Sequence, residues 1–532
     1  MSPPLRDRLG TRALPLLLAI GLPLLAALLV GGDSGWDLRN YHLYGPHALL
    51  SGRDAIDIAP AQLQTWHNPL LDLPMYWLAT SGLPVRFTTL WLALPTMLAL
   101  ACLLRLQARL STAPPGWLSQ VVLVVLALSG AAAWSTFGTS FNDSFVAAGM
   151  LAALCLALAD ARTRPALAWG LAGLVAGATA GLKLSAAFYC VALAAAALPG
   201  GDARDKRQRL MALAVGGIAG IALTYGWWAW RLHAEFGNPV FPYFNQWFQS
   251  TSAAPLAFSD TRFRPGSLAA DLLAPAQLLH NSRLFSELSL RDPRVLCGLL
   301  SFAFLAWRGD SQGMVESSDR IASTQADSLS KLRALALFVL VGFAGWVMQY
   351  GIYRYAIVLE MLGTLGLVLA LQRIPGRWLG PLALVLAFVL VSADTRRPHW
   401  GRDATGSIAA LRAPPLGRDA LVVTAADAPL GYLALGLPSD VPLLNLAGNF
   451  MLPGRCTRLQ ARAIDQLTAH AGPFWLLSDL PQSPDILSML RREYGLEASG
   501  DCVDYPNPLA PARLCPLRRT GPVRDACPGQ AR

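Results

Sequence analysis

The stretch ALPLLLAIGLPLLAALLV (residues 13–30) decides the fold, together with GGDSGWDLRNYHLYGPHALLSGR (residues 31–53), which follows it directly. The first part has no charged residue and is apolar on every side, not along one stripe. A helix that is apolar all round belongs in a core or in lipid. At a rise of 1.5 Å per residue it approaches the ~30 Å hydrocarbon thickness of a bilayer. The second part turns abruptly polar and aromatic, with Asp33, Asp37, Arg39, His42, His47 and Arg53.

The same alternation of long apolar runs and short polar breaks continues along the chain. Hydrophobic residues make up 54% of it and charged residues only 14%, against about 25% in soluble proteins. Only helices and closed barrels satisfy every backbone group in lipid. The expected fold is therefore an all-α polytopic membrane protein of about eleven transmembrane helices. The runs lie near 13–30, 85–104, 117–134, 144–160, 166–182, 184–199, 210–230, 294–308, 334–350, 355–372 and 378–394. Residues 1–395 form this membrane domain, with long loops at 31–84 and 231–293. The segment 69–83 holds two prolines and is expected as an interfacial or re-entrant helix. The spans at 166–182 and 184–199 meet at GLKLS in a tight hairpin, and the Ser-rich stretch 309–333 is expected as a flexible linker.

Residues 396–532 differ in character. DALVVTAA and PFWLLSDL suit strands, while RLQARAIDQLTAHAG and SPDILSMLRREYG have helical period. A small α/β domain is expected there.

Lys and Arg mark the cytoplasmic side. They gather in alternate connections: Arg6, Arg8 and Arg12; Arg105 and Arg109; Arg162 and Arg164; Arg204, Lys206, Arg207 and Arg209; Arg308, Lys331 and Arg333; Arg373 and Arg377. The intervening loop STFGTSFND has none. The expected location is the cell inner (plasma) membrane, with a cytoplasmic N-terminus and an extracytoplasmic (periplasmic) C-terminal domain. The formal net charge of +10 then needs no nucleic-acid partner. The first run is long for the core of a cleaved signal peptide and is expected to remain as a span. Cys102, Cys155, Cys190 and Cys297 fall in spans. Cys456, Cys502, Cys515 and Cys527 fall in the tail, where an oxidising compartment favours disulfides. Cys502 and Cys515 enclose the proline-rich VDYPNPLAPARL and are the expected pair, leaving Cys456 and Cys527 paired or free.

Four charges fall at the outer ends of spans: Asp37, Asp143, Lys183 and Arg354. Singly, each has a bland reading as loop solvation, a helix cap or a snorkelling end. Together they sit at one level, where two acids and two bases can offset the cost of burial by pairing. Tyr41, His42, Tyr44 and His47 follow Asp37 as an aromatic belt or a substrate wall. His67 and Asn68 suit either sugar hydroxyls or loop capping. NPVFPYFNQWFQS in the 231–293 loop suits a lid over the site or an interfacial anchor. Glu360, inside the tenth span, would pair with a base or turn toward the outer cavity.

These residues, in this order, resemble the GT-C class of integral-membrane glycosyltransferases. The likeness is to the bacterial relatives of dolichyl-phosphate-mannose protein mannosyltransferases and lipid A aminoarabinose transferases. It rests on Asp37-Leu-Arg-Asn-Tyr41 with Ala48 and Ser51-Gly52, on HNPLLDLPMYWL with His67 and Pro69, on Asp143, on GLAGLVAGATAGLK ending in Lys183, and on Arg354-Tyr355. It spans roughly residues 13–372 and leaves the tail unmatched. The resemblance implies transfer of a sugar from a polyprenyl-phosphate donor to a glycan, lipid or protein acceptor, with inversion. Asp37 and Asp143 would be catalytic, and Arg354 and Lys183 would bind the donor phosphate. Tyr41, His42, His67, Asn68 and Tyr355 would contact substrate. Leu38 stands where the family has a second acid, which counts against any mechanism or metal site that needs two adjacent carboxylates; a divalent metal is left open, and no other cofactor is implied. Two other classes fit the composition: a transporter or lipid-linked-sugar flippase, and a non-catalytic envelope-assembly protein. Neither inverted repeats nor midplane-broken helices, the marks of a transporter, stand out in the chain.

Overall fold

The computed structural model describes residues 5–111, 113–159, 165–311, 319–404, 406–425, 427–479 and 483–524. The chain is mostly helical, and its sheet lies near the C-terminus. In order, the helices are α1 (Leu5–Leu29), α2 (Tyr44–Ser51), α3 (Leu73–Thr80), α4 (Arg86–Leu110), α5 (Trp117–Leu128), α6 (Ala131–Ser135), α7 (Asp143–Ala157), α8 (Pro165–Leu182) and α9 (Ala187–Ala196). They continue with α10 (Ala203–Phe236), α11 (Asn245–Phe248), α12 (Leu268–Gln277), α13 (Arg294–Ser311), α14 (Asp319–Gln349), α15 (Ile357–Leu371), α16 (Leu379–Asp394), α17 (Arg458–Ala469) and α18 (Pro484–Tyr494).

Each expected span coincides with an apolar helix. Among the described residues, five stretches are long and apolar enough to cross a membrane: Arg86–Leu110, Pro165–Leu182, Ala203–Phe236, Asp327–Gln349 and Tyr353–Leu371. Six further apolar helices are shorter, of 10–17 residues. The helices are thus compatible with a membrane protein, although fewer than eleven have full spanning length. One expectation is corrected. Residues 319–333 are not a linker but the first turns of α14. Ala, Gln, Lys and Leu are good helix formers, and Asp327 and Lys331 form an i,i+4 ion pair at 2.8 Å.

Small residues set the closest packing in the bundle. A Cβ added to Gly173 or Gly177 of α8 would collide with the backbone of Leu213 or Gly217 in α10. One added to Gly216 or Gly220 of α10 would strike the backbone of α8. Lipid tails are as apolar as leucine, so helices in lipid associate through such close backbone approach.

The sheet contains β1 (Leu421–Thr424), β2 (Leu443–Asn445), β3 (Phe474–Ser478), β4 (Leu496–Ala498), β5 (Val503–Asp504) and β6 (Arg513–Arg519). Its order is β2-β1-β3-β6-β4, with β5 also on β6. β2, β1 and β3 run parallel, and β6 is antiparallel to β3. β1 is buried along its whole length, as a parallel strand covered on both faces must be. Alternate residues face opposite ways. Leu421, Val423 and Leu444 pack with Leu459, Leu467 and Leu490 of α17 and α18. Val422, Leu443 and Leu477 pack with Leu38, Leu43 and Tyr44 from the segment after α1.

A buried ion pair fixes that segment to the sheet. Arg53 meets Asp57 through Nε at 2.9 Å and Nη2 at 2.8 Å, and its other donations reach the carbonyls of Pro438 and Val441. Asp57 accepts the Leu443 N–H at 2.8 Å and the Tyr44 hydroxyl at 3.1 Å. Ile58 then pairs with Leu444 and extends the sheet beyond β2. Cys502 and Cys515 are disulfide-bonded, as expected. Cys456 is disulfide-bonded too, and Cys527 lies outside the described residues.

The α8–α10 seam yields a paired prediction. Gly177→Ala should lower the thermal unfolding midpoint in detergent, since overpacking costs about 1–3 kcal/mol. Gly170→Ala, whose Cβ would meet only the Ala212 carbonyl at an ordinary 3.7 Å, should match or exceed the parent. Equal midpoints for the two variants would contradict the seam.

Candidate functional site

Contacts among helix ends gather one end of the bundle around the segment after α1. Asp33 accepts the Ser140 N–H at 2.8 Å and its hydroxyl at 2.7 Å, tying the end of α1 to the loop before α7. Asn68 donates to the carbonyls of Gly181 and Thr224 at 3.0 and 2.9 Å, near the ends of α8 and α10. Arg291 pairs with Asp394 at the end of α16.

The four charges singled out in the sequence converge at this end. Asp37 closes the approach to a π-helical turn over Leu38–His42, and its Oδ2 lies 2.7 Å from Arg354 Nη1. Asp143 pairs with Lys183, which also donates to the Phe141 carbonyl at 2.5 Å. Arg354 lies over the Phe141 ring at 4.5 Å, and both Arg354 and Lys183 lie 5.2 Å from the centre of the Tyr355 ring. Tyr355 therefore favours both cations, and Phe141 favours Arg354, by cation–π attraction.

Local chain geometry produces this meeting. Lys183 is a single extended residue between α8 and the 3₁₀ turn (Leu184–Ala186) that opens α9. Arg354 lies in a similar turn, Tyr353–Ala356, ahead of α15. Asn142, at φ 63°, takes the left-handed position before α7 and leaves Asp143 as the first helical residue. The cap reading of Asp143 is thereby replaced, since its carboxylate makes no cap hydrogen bond and turns to Lys183.

A second tier surrounds Asp37. The Tyr41 hydroxyl donates to Asp37 Oδ2 at 3.3 Å. Its ring meets that of His67 edge-on at 5.0 Å, and His67 Nε2 lies 2.8 Å from the Tyr243 hydroxyl. The 231–293 segment thus reaches the site through Tyr243. His42 Nδ1 is 2.8 Å from Asp72 Oδ2, and Asp72 Oδ1 accepts from Asn142 at 2.7 Å. Asn68 spends its amide on backbone carbonyls and its oxygen on the Leu70 N–H at 3.1 Å, which is the loop-capping role. Tyr44 holds Asp57, and His47 lies 3.0 Å from the Tyr76 hydroxyl. Among the described residues Glu360 forms no ion pair. It accepts the Ala132 and Ala133 N–H groups at 2.7 and 2.9 Å, where two otherwise orphan helix-start donors are satisfied.

The sequence reading missed Asp33, Asp72, Asn142 and Tyr243. Asp72 had a signal, being the only charge in the apolar run PLLDLPMYWL. Tyr243 had none of its own.

Burial alone would raise the Asp37 carboxyl. Arg354 above all, with His42 and Lys183, reverses this and holds it below the usual carboxylate range. His67 goes the other way. Burial, with His42 and Lys183 adding to it against the pull of Asp37, pushes its imidazole down to about 4. Asp143 Oδ2, His42 Nε2 and Arg354 Nε are buried and have no protein hydrogen-bond partner. Such atoms are costly unless a ligand or solvent engages them. The cluster can therefore take a further anion at Arg354 and a further hydroxyl at Asp143. Among the described residues no three His, Cys, Asp or Glu side chains converge, each carboxylate of the cluster already holds a protein cation, and Leu38 packs into the apolar face toward the sheet.

No protein-family model matches the chain, and no significant match is found among curated proteins or among solved structures.

His67 gives a pH prediction. Its folded value of about 4 lies below the unfolded value of ~6.5, so the unfolded chain binds more protons between them. Stability contributed by neutral His67 is full above ~6.5 and falls as pH drops toward 4. The thermal midpoint of the parent should therefore drop from pH 7 to pH 4.5 by more than that of His67→Gln. Parallel curves would contradict this assignment.

Proposed function

We propose that the chain is a membrane glycosyltransferase that moves a sugar from a polyprenyl-phosphate donor to a glycan, lipid or protein acceptor at the extracytoplasmic face of the plasma membrane. The observation that carries the reading is the convergence of the Asp37–Arg354 and Asp143–Lys183 pairs at the end of an apolar helical bundle. The order of motifs shared with the GT-C class adds to it, as does the concentration of Lys and Arg in the connections that lead to the opposite bundle end.

The chemistry needs positive charge where the phosphate leaves and a carboxylate where the acceptor hydroxyl attacks. Arg354 offers a planar fork for phosphate, and Lys183 offers a point charge. In the resting protein Arg354 neutralises Asp37 and keeps it a weak base. A donor phosphate arriving at Arg354 competes for the guanidinium and loosens that pair. Asp37 can then accept the proton of the acceptor hydroxyl. The hydroxyl oxygen bonds to the anomeric carbon, the bond from that carbon to the phosphate oxygen breaks, and polyprenyl phosphate leaves with the electron pair. Attack opposite the leaving group inverts the anomeric carbon. Tyr41 orients Asp37, and the Tyr355 ring favours both cations. Asp143 fixes Lys183.

Purified protein in nanodiscs, given a radiolabelled polyprenyl-phosphate sugar and scored for both binding and transfer, separates these roles. Asp37→Asn should lower transfer by about 10²–10⁴-fold with donor binding retained. Arg354→Ala should weaken both binding and transfer, and Lys183→Ala should do the same more mildly. Unchanged transfer in Asp37→Asn would reject this mechanism and favour a transporter of lipid-linked sugars.

A further inference from the structure

Asp72 binds His42 through one carboxylate oxygen and Asn142 through the other. Its Oδ2 lies 2.8 Å from His42 Nδ1, and its Oδ1 accepts the Asn142 amide at 2.7 Å. All three side chains are buried, with exposures of 3% for His42, 5% for Asp72 and 6% for Asn142. They come from the turn after α1, the short turn Leu70–Asp72 before α3, and the residue that precedes α7. A satisfied chain of hydrogen bonds drawn from three parts of the fold holds the imidazole in one orientation.

An ionised carboxylate only accepts hydrogen bonds. Facing Asp72, Nδ1 of His42 carries the ring proton, as in any imidazole oriented by a carboxylate. In the neutral ring Nε2 is then a bare acceptor. It is buried and has no protein donor. A buried acceptor without a partner is costly, so this atom calls for a donor from outside the chain.

The position of the ring says where that donor arrives. His42 closes the π-helical turn Leu38–His42 that follows Asp37. Bonds in a π turn run from residue i to i+5, so Tyr41 and His42 return to the side of the turn that carries Asp37. Tyr41 shows the alignment, since its hydroxyl donates to Asp37 at 3.3 Å and its ring centre lies 4.0 Å from that of His42. His42 is also among the groups whose charge bears on the Asp37 carboxyl. Isolated π turns recur at functional sites.

We propose that His42 is a specificity-determining residue whose Nε2, kept as an acceptor by Asp72 and Asn142, receives a hydrogen bond from a free hydroxyl of the transferred sugar. The proposal rests on the glycosyltransferase reading for the words sugar and transferred. A hydroxyl satisfies Nε2, whereas a group of similar size without a proton leaves it stranded. Sites built to bond a substrate hydroxyl reject the analogue lacking it more strongly than apolar pockets reject a missing methylene. Asp72 and Asn142 are positioning residues, since they act through His42.

The test uses full-length protein in nanodiscs and a panel of polyprenyl-phosphate hexoses and pentoses, each with its single-position deoxyfluoro analogues. Fluorine is close to a hydroxyl in size and has no proton to give. For the sugar that the parent retains best, replacement at one ring position should weaken binding at least about tenfold, and replacement elsewhere should weaken it less. Asp72→Asn can donate to Nδ1 and move the ring proton to Nε2. The preference for hydroxyl over fluorine at that one position should then shrink toward one. His42→Gln should act alike, because its amide both donates and accepts, so either variant serves if the other fails to fold. The preference is a ratio within one protein, and general loosening of the fold does not single out one ring position. Equal binding of every analogue by the parent, or an unchanged ratio in the variants, would overturn the assignment of His42, and continued sugar transfer would then leave the transferase reading standing without it. A hydroxyl preference that the variants abolish, with no transfer to any acceptor, would support the His42 contact and reject the transferase reading. Retention of no lipid-linked sugar would overturn both.

Discussion

Four charges buried at one end of an apolar bundle constrain everything around them. An unpaired ion in such a place costs several kcal/mol. Asp37 must therefore find Arg354, and Asp143 must find Lys183. Because the four residues come from four distant parts of the chain, satisfying them fixes how the start of α7, the junction of α8 and α9, the start of α15 and the turn after α1 meet. Tyr355 and Phe141 complete the arrangement by giving the two cations aromatic faces. An ion pair of this kind adds little to stability over an apolar substitute.

The Arg53–Asp57 pair extends the constraint to the sheet. Its hydrogen bonds to Pro438, Val441 and Leu443 carry the turn after α1 onto β2, and the face that includes Val422 and Leu477 closes over Leu38 and Leu43. Leu38 is therefore a packing residue. An acid at that position would be buried against the sheet without a partner, which accounts physically for the apolar side chain beside Asp37. The same docking packs Leu459 of α17 with Leu232 and Phe236 at the end of α10.

Much of this was legible in the sequence because apolar length and charge position are local properties. The helices of the bundle, the strands DALVVTAA and PFWLLSDL, the helices α17 and α18 and the Cys502–Cys515 pair each announce themselves within a short window. Asp37, Asp143, Lys183 and Arg354 were visible as charges at the ends of apolar runs. What was hidden depends on distant partners. Glu360 caps α6 only because Ala132 and Ala133 arrive beside it. Asn68 is committed to Gly181 and Thr224, which no spacing rule connects to it. Tyr243 stands 176 positions along the chain from His67 and meets it only in the fold. The start of α14 is rich in Ser, which suggests a linker, while its Ala, Gln, Lys and Leu residues favour the helix it forms.

Asp37 and Arg354 act as one buried unit. A double-mutant cycle on thermal stability in nanodiscs, with Asp37→Asn, Arg354→Gln and the combination, tests it most directly. Each single change strands a buried charge, whereas the double change removes both. The account predicts that the double variant is more stable than the sum of the single losses implies, with a coupling in the range of about 0.5–3 kcal/mol found for residues in contact. Strictly additive losses would contradict it.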